Sequence, residues 1–245
     1  MPRYKLLIEY HGGPYQGWMK LPGKPTVQAA LEDAAAKLDS QPVEVYGAGR
    51  TDSGVHATGQ VAHIDLEIDR PGKVADALNF HLRPHPIAVL KAEKVSDDFH
   101  ARFDATERHY RYIIINRRAD LTLDRGLVWR VPSKLDAAKM HEAAQAFIGT
   151  HDFSTFRDGD CQAASPVKTL NDIAVARYGE RVEVTCRAQS FIHRQVRSMV
   201  GSLVDVGRGK EPVKWAKEIL EAADRTKCGP IAPPDGLYLE RVDYA

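Results

Sequence analysis

Cysteine is scarce in these 245 residues, with only Cys161, Cys186 and Cys228. An odd number, wide spacing and no C-x-x-C pair argue against a disulfide framework or a structural zinc site, and for reduced thiols in a cytoplasm. Long apolar runs are missing too: none approaches the roughly 18 residues that a membrane span needs. The opening MPRYKLLIEYHGG lacks the charged-then-apolar order of a secretory leader, since Arg3, Lys5 and Glu9 interrupt it. No G-x-x-x-x-G-K-[ST] loop occurs, so a Walker-type nucleotide site is not expected. His81 and His85 have metal-ligand spacing, but Pro84 and Pro86 forbid the helix that would align them. Charge of one sign is also lacking: 34 Lys and Arg against 33 Asp and Glu leave a net charge of +1. The whole chain is therefore no obvious polyanion binder.

Local charge tells a different story. Between Phe99 and Arg118 five arginines face two acids, and between Arg187 and Lys210 five Lys and Arg face one acid. Two basic runs far apart in sequence, each with aromatics inside, point toward nucleic acid.

Hydrophobic periodicity outlines the elements. RYKLLIEY (Arg3 to Tyr10) reads as a strand. Thr26 is placed to cap a helix whose Val27, Ala30, Leu31, Ala34 and Leu38 recur at helical spacing. VEVY at Val43 to Tyr46 is strand-like. Ala62, Ile64, Leu66 and Ile68 then alternate with His63, Asp65 and Glu67 as a half-buried strand. A short helix is expected over Ala75 to Leu82. In the second half, Arg108 to Asn116 forms a strand, and Ser133 with Asp136 resembles a capping box. They open a helix with Met140, Ala143, Ala144, Phe147 and Ile148 on one stripe, closed by Gly149 as C′. Val182, Val184 and Cys186 mark a strand, and Ile192, Val196, Met199, Val200 and Leu203 mark a buried helical face. A helix near Val213 to Ala223 and a strand at Leu237 to Val242 complete the chain. This rhythm, run twice, predicts two related α+β halves, residues 1–104 and 105–245, rather than a doubly wound parallel sheet.

Between two of these strands lies YGAGRTDSGVHATGQ (Tyr46 to Gln60). Taken alone, Thr51-Asp52-Ser53-Gly54 is a turn in which the Asp caps its own backbone. In the longer string, Arg50 brings a guanidinium near the Asp52 carboxylate and would keep it ionised, as a nucleophile or base requires. Gly47, Gly49 and Gly54 would let a bulky ligand approach closely. Asp52-Ser53-Gly54 also resembles the nucleophile turn of trypsin-like serine proteases, but Thr51 stands where a glycine belongs.

GRTDSGVHATGQV at 49–61 resembles the motif of the TruA-type tRNA pseudouridine synthases. TVQAAL at 26–31, FHARF at 99–103, RHYRYII at 108–114, FIHRQVRSMVGSLVDVG at 191–207 and GLYL at 236–239 continue the resemblance in the family's order. Ser53 stands where many members carry Ala. The resemblance implies paired ferredoxin-like, RRM-like halves that form a mainly antiparallel sheet flanked by helices, with a central RNA-binding cleft. It also implies isomerisation of uridine to pseudouridine at positions 38, 39 and/or 40 of the tRNA anticodon stem-loop, with no cofactor, no nucleotide and no metal.

In that comparison Asp52 corresponds to the catalytic aspartate; attack at C1′, attack at C6 and removal of the 2′ proton all remain open. Tyr110 corresponds to a substrate-contacting tyrosine, and Arg50 to the arginine that fills the space left by the extruded base. Arg197 corresponds to an arginine that pairs with the catalytic carboxylate, and Leu237 is a candidate apolar wall beneath the base. His193 and Arg194, at i−4 and i−3 from Arg197, would form a basic ridge with it on the helix. A cytoplasmic homodimer in which both subunits touch one tRNA is implied as well. A non-catalytic RNA-binding module and a hydrolase built on Ser53 are the competing readings.

Overall fold

Alternation builds the first element: in β1 (Arg3–Tyr10) Tyr4, Leu6, Ile8 and Tyr10 point inward while the residues between them stay partly exposed. The computed structural model describes residues 1–245, apart from the side chain of Pro71. The chain forms two compact units, Met1–Arg108 with Tyr238–Ala245, and His109–Leu237.

In the first unit α1 (Val27–Ala35) starts where expected, because Thr26 Oγ1 accepts a hydrogen bond from Ala29 N at 3.3 Å. Then come β2 (Val45–Gly47), β3 (His56–Asp65), α2 (Pro71–Leu82) and β4 (Ile87–Val95). β1 lies between β4 and β3, antiparallel to both. One edge of β3 takes two partners in succession: β2, antiparallel at Ala62 to Ile64, and the chain's last strand, parallel at His56 and Ala57. From Gly59 to Ile64 every residue of β3 is buried, on both faces of the sheet, which corrects the half-buried reading. His63 is 3% exposed and packs as a flat ring against Tyr46.

In the second unit β5 (Ala105–Ile115), which starts in the first, pairs through Ile114 and Ile115 with the short β6 (Trp129–Arg130). α3 (Ala137–Ala144) is capped by Asp136, whose side chain accepts from Lys139 N, and not by Ser133, whose hydroxyl accepts from Arg208. The helix tightens into a 3₁₀ turn through Phe147 with Ile148 as its C-cap, so Gly149, at φ +108°, follows as C′ and also opens β7 (Gly149–Asp152). β7, β8 (Val167–Tyr178) and β9 (Arg181–Ala188) form an antiparallel sheet. α4 (Gln195–Gly207) and α5 (Trp215–Ala222) follow. The apolar centre of this unit holds Met140, Phe147, Phe153, Phe156, Met199 and Leu203, all fully buried. β10 (Leu237–Tyr244) leads back into the first unit. Both units are thus α+β, with mainly antiparallel sheets flanked by helices. Among the described residues no helix is long and apolar enough to cross a membrane.

Candidate active site

The glycine-rich stretch between β2 and β3 is held as a fixed loop by residues distant in sequence. On one side Gln60, fully buried, donates from Nε2 to Gly49 O at 2.8 Å. Arg108, also buried, donates to Ala48 O at 2.9 Å. On the other side, Thr51 O accepts from Trp18 N at 3.0 Å, and Thr51 Oγ1 shares a 2.8 Å hydrogen bond with the Tyr10 hydroxyl. Burial pushes the Tyr10 phenol well above its ordinary pKa, so it remains a hydroxyl. Val55 N then closes a turn on Asp52 O at 3.1 Å.

The segment Gly12 to Trp18 lies against this loop backbone to backbone. A Cβ on Gly12 would stand 2.0 Å from Val55 O, and one on Gly17, which sits at φ +93°, would stand 2.7 Å from Thr51 O. Gly47 was expected to leave room for a ligand. That space belongs to the Trp18 ring instead, 2.5 Å from where a Cβ would be. Gly54 serves the turn itself, at φ +79°. Asp52 is half-buried on this immobilised backbone, and Arg50 is exposed two residues before it.

The other two expected residues belong to the second unit. Tyr110 lies on β5, 9% exposed, with its ring edge-on to Phe191 at 5.1 Å. Arg197 is in the first turn of α4 and half-buried. Its Nε donates to Ala232 O at 2.8 Å, while Ala232 N donates to Arg197 O at 3.1 Å, so helix and following segment hold each other. The basic ridge is not helical. Arg194 precedes the helix in a left-handed conformation, φ 60°, and its guanidinium turns to Asp158 at 2.9 Å. His193 Nδ1 lies 3.6 Å from the same carboxylate. Leu237 is buried at the start of β10.

Residues 7–104 and 143–245 match the model of a family described as tRNA pseudouridine synthase. The chain belongs to the tRNA pseudouridine synthase family. Among relatives, it is 77% identical over 244 residues to the tRNA pseudouridine synthase A of Hyphomonas neptunium, covering 100% of this chain and 99% of that one. The namesake from Maricaulis maris is 64% identical, covering 100% and 98%. That from Rhodopseudomonas palustris is 59% identical, covering 100% of both chains. Membership makes the chain an enzyme, an isomerase that acts on uridine in tRNA.

The segments matching the synthase family include Arg50, Asp52 and Arg197; Tyr110 lies between them. Ser53 is ill-suited to a hydrolase, since its hydroxyl donates to Tyr15 O at 3.3 Å rather than to a base. Tyr10, Gln60 and the Gly12 to Trp18 segment were not singled out as functional by sequence reasoning. Gln60 stood inside the quoted motif, and the density of Gly and aromatic residues in HGGPYQGW was the available signal.

Proposed function

We propose that this chain converts uridine to pseudouridine at positions 38, 39 and/or 40 of the tRNA anticodon stem-loop, with Asp52 as the catalytic carboxylate. One observation carries this reading: Asp52 is reachable by solvent yet stands on a backbone pinned on both sides. A carboxylate held so needs little reorganisation when a nucleotide arrives, which is where positioning lowers a barrier. The target uridine must leave its stack to reach it, at a cost of roughly a few kcal/mol that contacts elsewhere on the RNA offset.

The reaction breaks the C1′–N1 bond, turns the base and forms C1′–C5; the C5 proton is released and N1 gains one. Asp52 acts on the sugar or the base, Tyr110 contacts the uracil, Arg50 fills the gap in the stem-loop and Arg197 takes the role of the arginine that the family pairs with its catalytic carboxylate. The sequence resemblance supports these roles. It also supports a cytoplasmic homodimer, in keeping with three cysteines that form no disulfide.

Atoms balance without ATP, redox equivalents or metal. Tritium release from tRNA carrying C5-labelled uridine is therefore expected to proceed at an unchanged rate with excess EDTA and no nucleotide. No release from the purified protein, or release abolished by EDTA and restored by a divalent cation, would contradict the reading.

A further inference from the structure

Away from the glycine loop, the first unit carries a ladder of rings that ends in solvent. Tyr46 lies flat on His63, with centroids 5.0 Å apart and planes 11° apart. His63 meets His100 edge-on at 4.7 Å, and His100 meets Phe103 at 4.2 Å. In the middle of the ladder His63 is buried and His100 half-buried, but the ends are open: Tyr46 is 46% exposed and Phe103 74%. A lone exposed Phe would need no explanation. This one ends a run of ring contacts, tilted 37° to His100, and the Arg102 guanidinium lies over its ring at 5.8 Å.

The ladder is braced. His63 Nδ1 accepts from Ala101 N at 3.1 Å, and His100 Nδ1 accepts from Arg102 N at 3.1 Å. Arg108 donates both to Arg102 O at 2.7 Å and to Ala48 O, which fastens this segment to the loop that carries Arg50 and Asp52. Burial lowers the His63 pKa to about 4, so its ring is neutral at neutral pH. The nearby acids are engaged: the Tyr46 hydroxyl donates to Glu44, and Asp104 accepts from His100 N at 2.7 Å. Carboxylates there would repel phosphate, whereas the flat face of a base carries no charge to repel.

We propose that Tyr46, His100 and Phe103, with Arg102, form a stacking platform for an unpaired nucleobase of the RNA substrate, separate from the uridine that is isomerised. The proposal rests on the tRNA reading above and adds a second point of contact to it. Unpaired bases are held by stacking on aromatic rings and arginine planes, in a manner tolerant of base identity.

The test is titration of a tRNA transcript against the full-length protein and its Phe103→Ala, Phe103→Leu and Phe103→Trp variants. Stacking on one aromatic is worth roughly five- to 150-fold in affinity. The Ala and Leu variants are expected to bind about tenfold more weakly, the Trp variant within about twofold of wild type. The slope of log Kd against log salt is expected to stay unchanged, because no phosphate contact is lost. Three results would overturn the platform: Leu binding like Phe, an unchanged Kd for Ala, or a salt slope reduced by about one. A shift in the sedimentation of RNA-free Phe103→Ala would also overturn it, by making this face a contact between copies. Failure of the isomerase reading registers separately, as absent tritium release from wild type.

Discussion

Asp52→Asn is expected to slow tritium release by about a thousandfold or more, while the Kd for tRNA stays within about twofold. Asn keeps the shape of the side chain but has no negative charge and no oxygen basic enough to accept a proton or attack carbon. The hydrogen bonds that hold the loop through Gly49 O, Thr51 O and Thr51 Oγ1 are left in place by this substitution. The measurement is single-turnover release with enzyme in excess over labelled tRNA, paired with filter binding. Retention of more than a tenth of the wild-type rate would remove Asp52 from the chemistry. Equal losses in rate and affinity would make it a binding residue.

Gly12→Ala is the second large effect, and it reaches Asp52 through the backbone. The added methyl would stand 2.0 Å from Val55 O and 2.4 Å from Val55 C, atoms that cannot swing aside as a side chain would. Relief requires moving either the end of β1 or the turn at Asp52. Overpacking of this kind costs about 3 kcal/mol, which for a chain this long lowers Tm by roughly 6 to 12 °C. A displacement of the carboxylate by about 1 Å adds roughly a hundredfold loss in turnover of the folded protein. Thermal unfolding and tritium release well below Tm check the two parts independently. A variant with wild-type Tm and turnover would mean that the Gly12 to Trp18 segment does not hold the loop.

The local elements with strong periodicity were legible. β1 alternates without interruption, Thr26 caps α1, and Val182, Val184 and Cys186 fall on one face of β9. β8 was not, because its register shifts between Leu170 and Asp172 and only Leu170, Ile173 and Val175 are buried, so period-two alternation is broken. β4 was missed for a related reason: it lies beside β1 alone in its unit, and its second half, Leu90 to Val95, is largely exposed and rich in charge.

The start of α4 misled because Ile192 is buried at a spacing that fits the helix, yet the left-handed Arg194 separates it from the helix. At the site, Asp52 stood out because the motif around it is long and unusual in its residue types. What immobilises it did not: Tyr10 and Trp18 bond Thr51 from 41 and 33 positions away and Gln60 bonds Gly49 from 11 positions away, and only the folded chain brings them to the loop.

We propose that a pinned carboxylate at residue 52 isomerises uridine in the anticodon arm of tRNA. Nucleotide-resolution mapping of pseudouridine on one tRNA transcript, incubated in parallel with wild type and Asp52→Asn at saturating protein, tests it most directly. The account predicts pseudouridine confined to positions 38, 39 and 40 with wild type and none with the variant. Pseudouridine outside the anticodon arm, or equal yields from both proteins, would contradict it.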